Sequence, residues 1–599
     1  MRARRRVLPL TFSLALAALL PAALQAAETS LTAPGASDDL LAELRGSSSV
    51  VSAETSGLDS AQELLAAALS DYKTLVQVLY DAGYFGPEVS IRVDGREAAN
   101  ISLVNPPRRI DRIEIRIATG PAFRFGTARV APLPPGTELP EAFATGQTAG
   151  TGTIRAAALA GRDAWRFDGH AKADIGAQRI TANHRLSQVD ADIQIIPGPE
   201  LRFGQLKVSG QSRVRAASIQ RIAALPSGEK FSPDEVRKAG ARLRRTGTFS
   251  SVTLVEAETP NADGTLDFTA QVADQPPRRI SFGAEIASNA GITLSAAWLH
   301  RNLFGNAERF RIEGEVRNIG GDEDIDGGLA FRLDNPTRLG GDNSLFYVGS
   351  LERIDRQHYT MNRAMLGVGV RRVSSDQLFG EASVEISTSD VTDAYGADRS
   401  FDLLSFPLHG QYDGRDSEQN PTGGYFVDLT ITPFTGFGNS ASGISMLADG
   451  RAYRSLTASG SVVVAGRLQV GSVVGAAASE TSPDLLFFSG GAGTVRGQGF
   501  ESLGIPVGTG VAGGRSIVTA SAELRTRITE AISLVGFYDY GAVDDGSFVT
   551  SASRSHSGAG LGLRYDLGGF GPLRLDIALP VSGPTDDGLQ FYIGIGQAF

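Results

Sequence analysis

The C-terminal half of this chain alternates apolar and polar residues with period two. Tyr425, Val427, Leu429 and Ile431 share one face, while Phe426, Asp428, Thr430 and Thr432 share the other. Val518, Ala520, Ala522, Leu524 and Ile528 oppose Thr519, Ser521, Glu523, Arg525 and Arg527. Leu573, Leu575, Ile577 and Leu579 oppose Arg574, Asp576 and Ala578, and Leu589, Phe591, Ile593, Ile595 and Phe599 continue the pattern. Segments of this kind, separated by turns from Ile280 onward, predict strands with one apolar and one wet face. In a membrane barrel the apolar face meets lipid and the charged face lines the interior. In a soluble sandwich the apolar face would lie against a second sheet. At roughly 20 residues per strand and turn, residues 278–599 hold about 16 strands.

The N-terminal half follows a different rule. Leu64, Leu65, Ala68, Leu75, Val76 and Leu79 recur at helical spacing and end in Ala82-Gly83, predicting a helix. Short alternating segments at 89–93 and 113–117 read as strands. A strand, a Gly-Pro break and a second strand then repeat: Ile115-Arg116-Ile117 through Gly120-Pro121 to Phe125-Gly126 returns as Ile193-Gln194-Ile195 through Gly198-Pro199 to Phe203-Gly204. A period near 80 residues suits a small α+β module. Val272 to Arg279 suggests a third copy, whose helix opens at Ser232-Pro233-Asp234-Glu235 with a capping box and proline in the first turn. The expected organisation is a flexible leader over 27–57, modules over 58–119, 120–197 and 198–277, and strands to the end.

Composition narrows the class. Arg2, Arg4, Arg5 and Arg6 precede an apolar run over 7–20 and then small residues, the pattern of a secretory signal peptide over 1–26. No later apolar stretch is long enough for a membrane helix, so an exported chain of this kind spans a membrane only as a closed barrel. The formal charge is -10, and removing those four arginines gives -10 - 4 = -14. An acidic chain without clustered Lys and Arg excludes nucleic acid as a partner. The 72 glycines suit turns and short strands, and the absence of cysteine removes disulfides and thiolate metal sites. The six histidines lack metal-ligand spacing, and no cofactor is implied. Gly508-Thr509-Gly510-Val511-Ala512-Gly513 has the spacing of a dinucleotide fingerprint but opens no helix and reads as a loop. No nucleophile elbow or acid–base pair emerges, so the chain is read as no enzyme.

One stretch stands out. Phe487 to Phe500 holds a single arginine, in Val495-Arg496-Gly497, within a run of glycines and small residues. A guanidinium so placed calls for a carboxylate, and Glu523 and Asp539 are candidates. Two readings remain: a loop folded into a barrel against acidic walls, or a surface turn with a solvated arginine.

Val495-Arg496-Gly497, the Phe537-x-Asp539-x-Gly541 strand, Trp298 to Gly305 with its Asn302-Leu303-Phe304-Gly305, Pro572 to Ala578, and the ending Ile595 to Phe599 resemble the outer-membrane barrel-assembly and translocation superfamily. That resemblance implies a β-rich membrane protein with a 16-stranded transmembrane β-barrel preceded by α+β polypeptide-transport-associated (POTRA) domains. Three such domains point to one branch, the outer-membrane subunit of the translocation and assembly module. The chain departs from the family at Gln498, where an aromatic residue usually follows Arg-Gly.

The resemblance implies that Arg496 binds Asp539 inside the lumen, with Glu523 as second acceptor. It further implies outer-membrane residence, periplasmic POTRA domains, unfolded outer-membrane clients (autotransporters especially) and a TamB-like periplasm-spanning partner. Closure requires the first strand to pair with the last. Gly594 and Gly596 either loosen that seam for client-strand pairing or relieve crowding in the lumen, with Phe599 as the terminal aromatic. The rival functions are a two-partner-secretion exporter and a passive channel.

Overall fold

The computed structural model describes residues 27–53, 60–287, 291–321, 323–438, 440–568, 572–583, 588–595, 597 and 599. The expected signal peptide and Gly596 lie outside them. The chain forms two compact units, one holding the first two modules and the other holding the third module and the barrel.

Each module is a sheet whose last strand lies in the middle. The first runs β1 (Glu28–Thr32), α1 (Asp38–Ser47), α2 (Ala61–Asp81), β2 (Glu88–Val93), β3 (Arg96–Glu97) and β4 (Arg112–Ala118), in sheet order β1-β4-β2-β3. The second runs β5 (Arg124–Ala131), α3 (Thr151–Phe167), β6 (Asp174–Asn183) and β7 (Gln188–Ile196), ordered β5-β7-β6. The third runs β8 (Arg202–Ser209), α4 (Ala216–Ala223), α5 (Pro233–Arg245), β9 (Phe249–Glu256) and β10 (Thr265–Asp274), ordered β8-β10-β9. Helical spacing becomes burial: Leu65, Ala68, Leu75 and Leu79 of α2 join Ile91, Ile113, Ile115 and Ile117 in one core. The sequence repeat is also explained. Gly120 and Gly198, with φ of 69° and 70°, turn the chain from one module's last strand to the next module's first.

Of the expected leader, residues 28–53 are folded. Glu28–Thr32 pairs in parallel with β4, and α1 starts at an N-cap on Ser37 and buries Leu40 and Leu44. The buried carboxylate of Asp71 accepts from Ser48 Oγ at 2.6 Å and from the amides of Ser49 and Val50 at 2.9 and 3.1 Å. A polar, small-residue composition concealed one strand, one short amphipathic helix and a turn tied to α2.

From Arg278 onward the chain is one antiparallel sheet: β11 (Arg278–Ala287), β12 (Gly291–His300), β13 (Arg309–Ile319), β14 (Asp326–Asn335), β15 (Asn343–Arg356), β16 (Tyr359–Val373), β17 (Leu378–Asp393), β18 (Gly396–Ser405), β19 (Leu408–Asp413), β20 (Gly423–Phe437), β21 (Gly443–Ser455), β22 (Val462–Val474), then β25 (Ser516–Arg527), β26 (Ile532–Asp544), β27 (Arg554–Asp566), β28 (Pro572–Ser582) and β29 (Gln590–Ile595), with a small hairpin, β23 (Ile505–Val507) and β24 (Gly510–Ala512), in the long connection after β22. Both β18 and β19 pair with β17 and β20, so they are one stave broken at Pro407, and the 17 segments make 17 - 1 = 16 staves. The two faces separate as the period demands. Leu524, Ile577 and Phe591 are exposed, whereas Glu523, Arg525, Asp539 and Asp576 are buried.

The last strand is the sheet's thinnest part among the described residues. Among the described residues β29 pairs with β28 through six residue pairs, against fourteen between β15 and β16. Among the described residues no backbone pairing joins β29 to β11.

The third module is riveted to the barrel through Asn302-Leu303-Phe304-Gly305. Gly305 has a φ of 92°, and its carbonyl accepts from the Arg215 amide at 2.9 Å. Asn306 Oδ1 accepts from Arg215 Nη1 and Ser218 Oγ, each at 2.8 Å. On the far side of the module, Arg242 grips Asp342, in the β14–β15 turn, through Nη2 at 2.8 Å and Nε at 3.1 Å. Arg242 holds the Asp342 carboxyl below the usual carboxylate range. A carboxyl depressed by folding contributes stability above its unfolded value, about 4, and loses it as pH falls through the lower folded value. Asp342→Asn should therefore raise amide exchange in α5 roughly fivefold at neutral pH, the scale of a half-buried pair. Acidification to about pH 3 should lower the protection factor of these amides, the exchange rate of an unfolded peptide at the same pH over their own, more in the unaltered protein than in the variant; equal exchange at pH 7 would show that the clamp is idle.

Candidate functional site

The connection between β22 and β25 turns back into the barrel because its residues suit a crowded interior. Phe487 and Gly514 bridge one level, Ser489 and Leu503 the next, and Gly491 and Val495 close the tip. Leu503, Ile517 and Val543 bury an apolar cluster beneath Phe487. Gly497, with a φ of 92°, lies so close to β28 that a Cβ would stand 2.5 Å from the Leu579 carbonyl oxygen. The dinucleotide-like spacing falls on the β23–β24 turn.

At the tip, Arg496 is 2% exposed. Its Nε and Nη2 donate to the two oxygens of Asp539 at 2.7 and 3.0 Å, and its amide adds a third bond at 3.1 Å. Nη1 donates to Glu523 at 2.7 Å and to Asp576 at 3.2 Å. The guanidinium also lies 3.5 Å from the centroid of the Phe537 ring. The structure thus brings Arg496, Glu523 and Asp539 together and adds Asp576.

The wall strands make room for this loop. Along β26, Phe537 offers its ring, Asp539 its carboxylate and Gly541 a gap, where a Cβ would stand 2.7 Å from Val495. On β27, Gly558, Gly560 and Gly562 point inward while Leu561 is exposed. A Cβ on Gly558 would collide with the Arg496 carbonyl oxygen, and one on Gly562 with Asp576. Gln498 is fully buried and donates through Nε2 to the Ser557 and Ser582 carbonyls at 2.6 and 3.0 Å. It stitches β27 to β28 at a register shift. An amide thereby fills the place where the family resemblance expects an aromatic, and Phe500 is half exposed.

Around the first carboxylates stand further cations. Arg525 pairs with Glu523 at 2.8 Å, Arg564 pairs with Asp576, and Arg574 lies 3.8 Å from Asp576. This outer ring grips the end of the chain. The Gly497 amide donates to Tyr592 Oη at 3.0 Å, Arg564 Nε donates to Gln597 at 3.0 Å, and Arg525 Nη2 donates to the Phe599 carbonyl oxygen at 3.2 Å. Phe599, expected on the outward apolar row, is instead buried beside Tyr453 and Ala465. Period two fails there because the strand ends at Ile595 and the residues beyond follow their contacts. Gly594 lies opposite Arg574, whose guanidinium a Cβ would meet at 3.2 Å.

Breaking a buried pair strands the partner charge at a cost of about 3–5 kcal/mol. Arg496→Ala should therefore lower the temperature at which the folded barrel loses its fast gel migration. Arg496→Lys should recover only part, since an ammonium lacks the planar two-pronged fit to Asp539. Gly558→Ala should loosen the same tip by displacing the Arg496 carbonyl. An unchanged transition in Arg496→Ala would mean that the network is screened by water.

The Omp85 superfamily domain matches residues 302–599. Among characterised proteins, the chain is 23% identical over 452 residues to the outer membrane protein assembly factor BamA of Neorickettsia risticii (strain Illinois), covering 69% of this chain and 57% of the relative. It is 23% identical over 457 residues to the chloroplastic outer envelope protein 80 of Arabidopsis thaliana, covering 69% and 58%. The chain thus spans less than two thirds of the length of either relative. Similar solved folds include BamA from Haemophilus ducreyi lacking POTRA domains 1–3, with a TM-score of 0.62 at 16% identity over 78% of this chain and 98% of that one. CdiB from Acinetobacter baumannii gives 0.50 at 14% identity over 80% and 90%. No helix among the described residues is long and apolar enough to cross a membrane. Residues 302–599 of this chain are an Omp85 superfamily domain, folded as the β-barrel of an outer-membrane protein, with the preceding modules on the periplasmic side.

Proposed function

We propose that this protein is a TamA-type assembly factor that helps unfolded outer-membrane proteins, autotransporters especially, to insert or cross. The observation that carries the reading is the thin end of the barrel. Among the described residues β29 is held to β28 by six residue pairs; Tyr592 ties its inner face to the loop, and Gln597, beyond the strand, is tied to the wall. β11 and β29 each keep an edge unpaired among the described residues. Such an edge offers a row of backbone donors and acceptors that an incoming strand can complete. The resemblance to a protein named as an assembly factor supports the same direction.

The three N-terminal modules act as POTRA domains in this reading. Each keeps its first and second-to-last strands at or near the sheet margin, and β6 and β9 are margin strands available for strand addition. They receive clients and dock a TamB-like periplasm-spanning partner. A passive channel leaves these modules without a task, and a two-partner-secretion exporter is expected to carry two of them.

Insertion of an autotransporter barrel into liposomes carrying the purified protein tests this. The heat-modifiable folded client, scored on a gel, should form severalfold faster than with empty liposomes or an unrelated porin. Arg496→Ala should bring the rate back toward the porin level. A rate equal to the porin's would sink autonomous insertion, and ion conductance without insertion would favour the channel.

A further inference from the structure

Where the third module joins the barrel, cations outnumber acids. Arg278 and Arg279 open β11, Arg301 follows β12, and Arg309 opens β13. Arg278, Arg279 and Arg309 are exposed, and none has a carboxylate within ion-pair reach among the described residues. Arg301 is fixed by its amide to the Pro277 carbonyl at 2.8 Å and by Nη1 to the Pro276 carbonyl at 2.9 Å. Burial, with repulsion from Arg279 and Arg309, holds its guanidinium below the usual arginine range. Like charges held together this way favour an anion between them.

A cavity of about 1260 Å³ opens at this place, lined by Ser212, Arg213, Asp274, Arg278, His300 and Arg301, among others. Its one lining carboxylate is already engaged: Asp274 accepts from Ser212 Oγ and from the Arg213 amide, each at 2.7 Å. Three guanidinium groups, of Arg213, Arg278 and Arg301, thus line the cavity against one carboxylate, and the cavity keeps a net positive charge.

Its depth identifies the ligand. Ile280 and Phe282 are 64% and 82% exposed on the outward face of β11. Arg278 lies on that same face one pleat beyond Ile280, about 7 Å further along the strand. Across the register, Trp298 stands opposite Ile280 and His300 opposite Arg278. The Trp298 ring meets Phe310 edge-on at 6.0 Å. Aromatic residues bound the apolar band of a barrel at the level of the headgroups. Arg278 thus stands where phosphates lie, with lipid-facing residues immediately inside it.

We propose that this cavity binds the phosphate of an anionic phospholipid, with Arg213, Arg278 and Arg301 as its partners and the acyl chains along Ile280 and Phe282. The bound lipid neutralises the cluster and fixes the module end of β11, the strand whose other edge is unpaired. The apolar row continuous with the cations favours a lipid over an acidic peptide, which would need only the charge.

The test uses the full chain in nanodiscs holding equal phosphatidylglycerol and phosphatidylcholine. Lipids kept after release into mild detergent are counted by native mass spectrometry. The protein should keep phosphatidylglycerol preferentially. The double variant Arg213→Ala, Arg278→Ala should keep roughly thirtyfold less, and Arg278→Lys should keep it. Heat-modifiable migration reports folding; if the double variant fails that check, Arg278→Gln alone carries the comparison. Equal retention of the two lipids, or retention indifferent to these substitutions, overturns the proposal. Displacement by millimolar inorganic phosphate would assign a free-phosphate site instead. Binding of a hexaglutamate probe that needs Arg213 and Arg278, with lipid retention unchanged, would assign a peptide surface and overturn it likewise.

Discussion

A guanidinium withdrawn almost entirely from water must be met on every side by acceptors, and Arg496 meets that demand with three carboxylates and an aromatic face. Neither member of such a pair is stable alone in a dry interior, and the attraction offsets desolvation only when the geometry is good. The rest of the lumen is arranged around this condition. Gly541, Gly558 and Gly562 supply the space, Gln498 ties two wall strands together beneath the tip, and Arg525 and Arg564 balance the second oxygens of Glu523 and Asp576. The value of the network lies in position more than in net stability: it admits one placement of the loop and tolerates few others.

That placement reaches the end of the chain. Tyr592, Gln597 and Phe599 bind, respectively, Gly497 of the loop, Arg564 and Arg525 of the wall. The final strand, with few backbone bonds to its one neighbour, is thus supported from the lumen by polar side chains. At the opposite end of the sheet the third module runs directly into β11 and holds the β12–β13 and β14–β15 turns, through Gly305, Asn306 and the Arg242–Asp342 clamp. The last strand is therefore held by luminal contacts, and the turns beside the first strand by contacts with the third module. In the proposed function, a client strand entering there works against side-chain contacts rather than against a full backbone ladder.

Much of this was legible in the sequence, for identifiable reasons. Period-two segments such as Leu573 to Leu579 declared their two faces because strand side chains alternate without exception over that length. Arg496 was conspicuous as the one cation among glycines, and Glu523 and Asp539 lay on the polar faces of their strands. Asp576, Arg525, Arg564 and Arg574 occupied equally polar faces, yet only the strand register brings them to the same place. The alternation Gly558-x-Gly560-x-Gly562 carried a readable signal, since three inward glycines in a row mark a close approach. Residues 28–53 concealed their fold behind small polar side chains, because a parallel margin strand needs few large apolar groups. Phe599 escaped because periodicity describes strands only, and its residue lies beyond one.

The central claim is that the Arg496 network holds the last strand from inside. Hydrogen exchange at β29 and at the Arg496–Gln498 amides, in the bilayer-embedded protein with and without Arg496→Ala, addresses it directly. The account predicts slow exchange at both places in the unaltered protein and faster exchange at both in the variant, with β15 and β16 unchanged. Faster exchange at the loop alone, with β29 as protected as before, would contradict it.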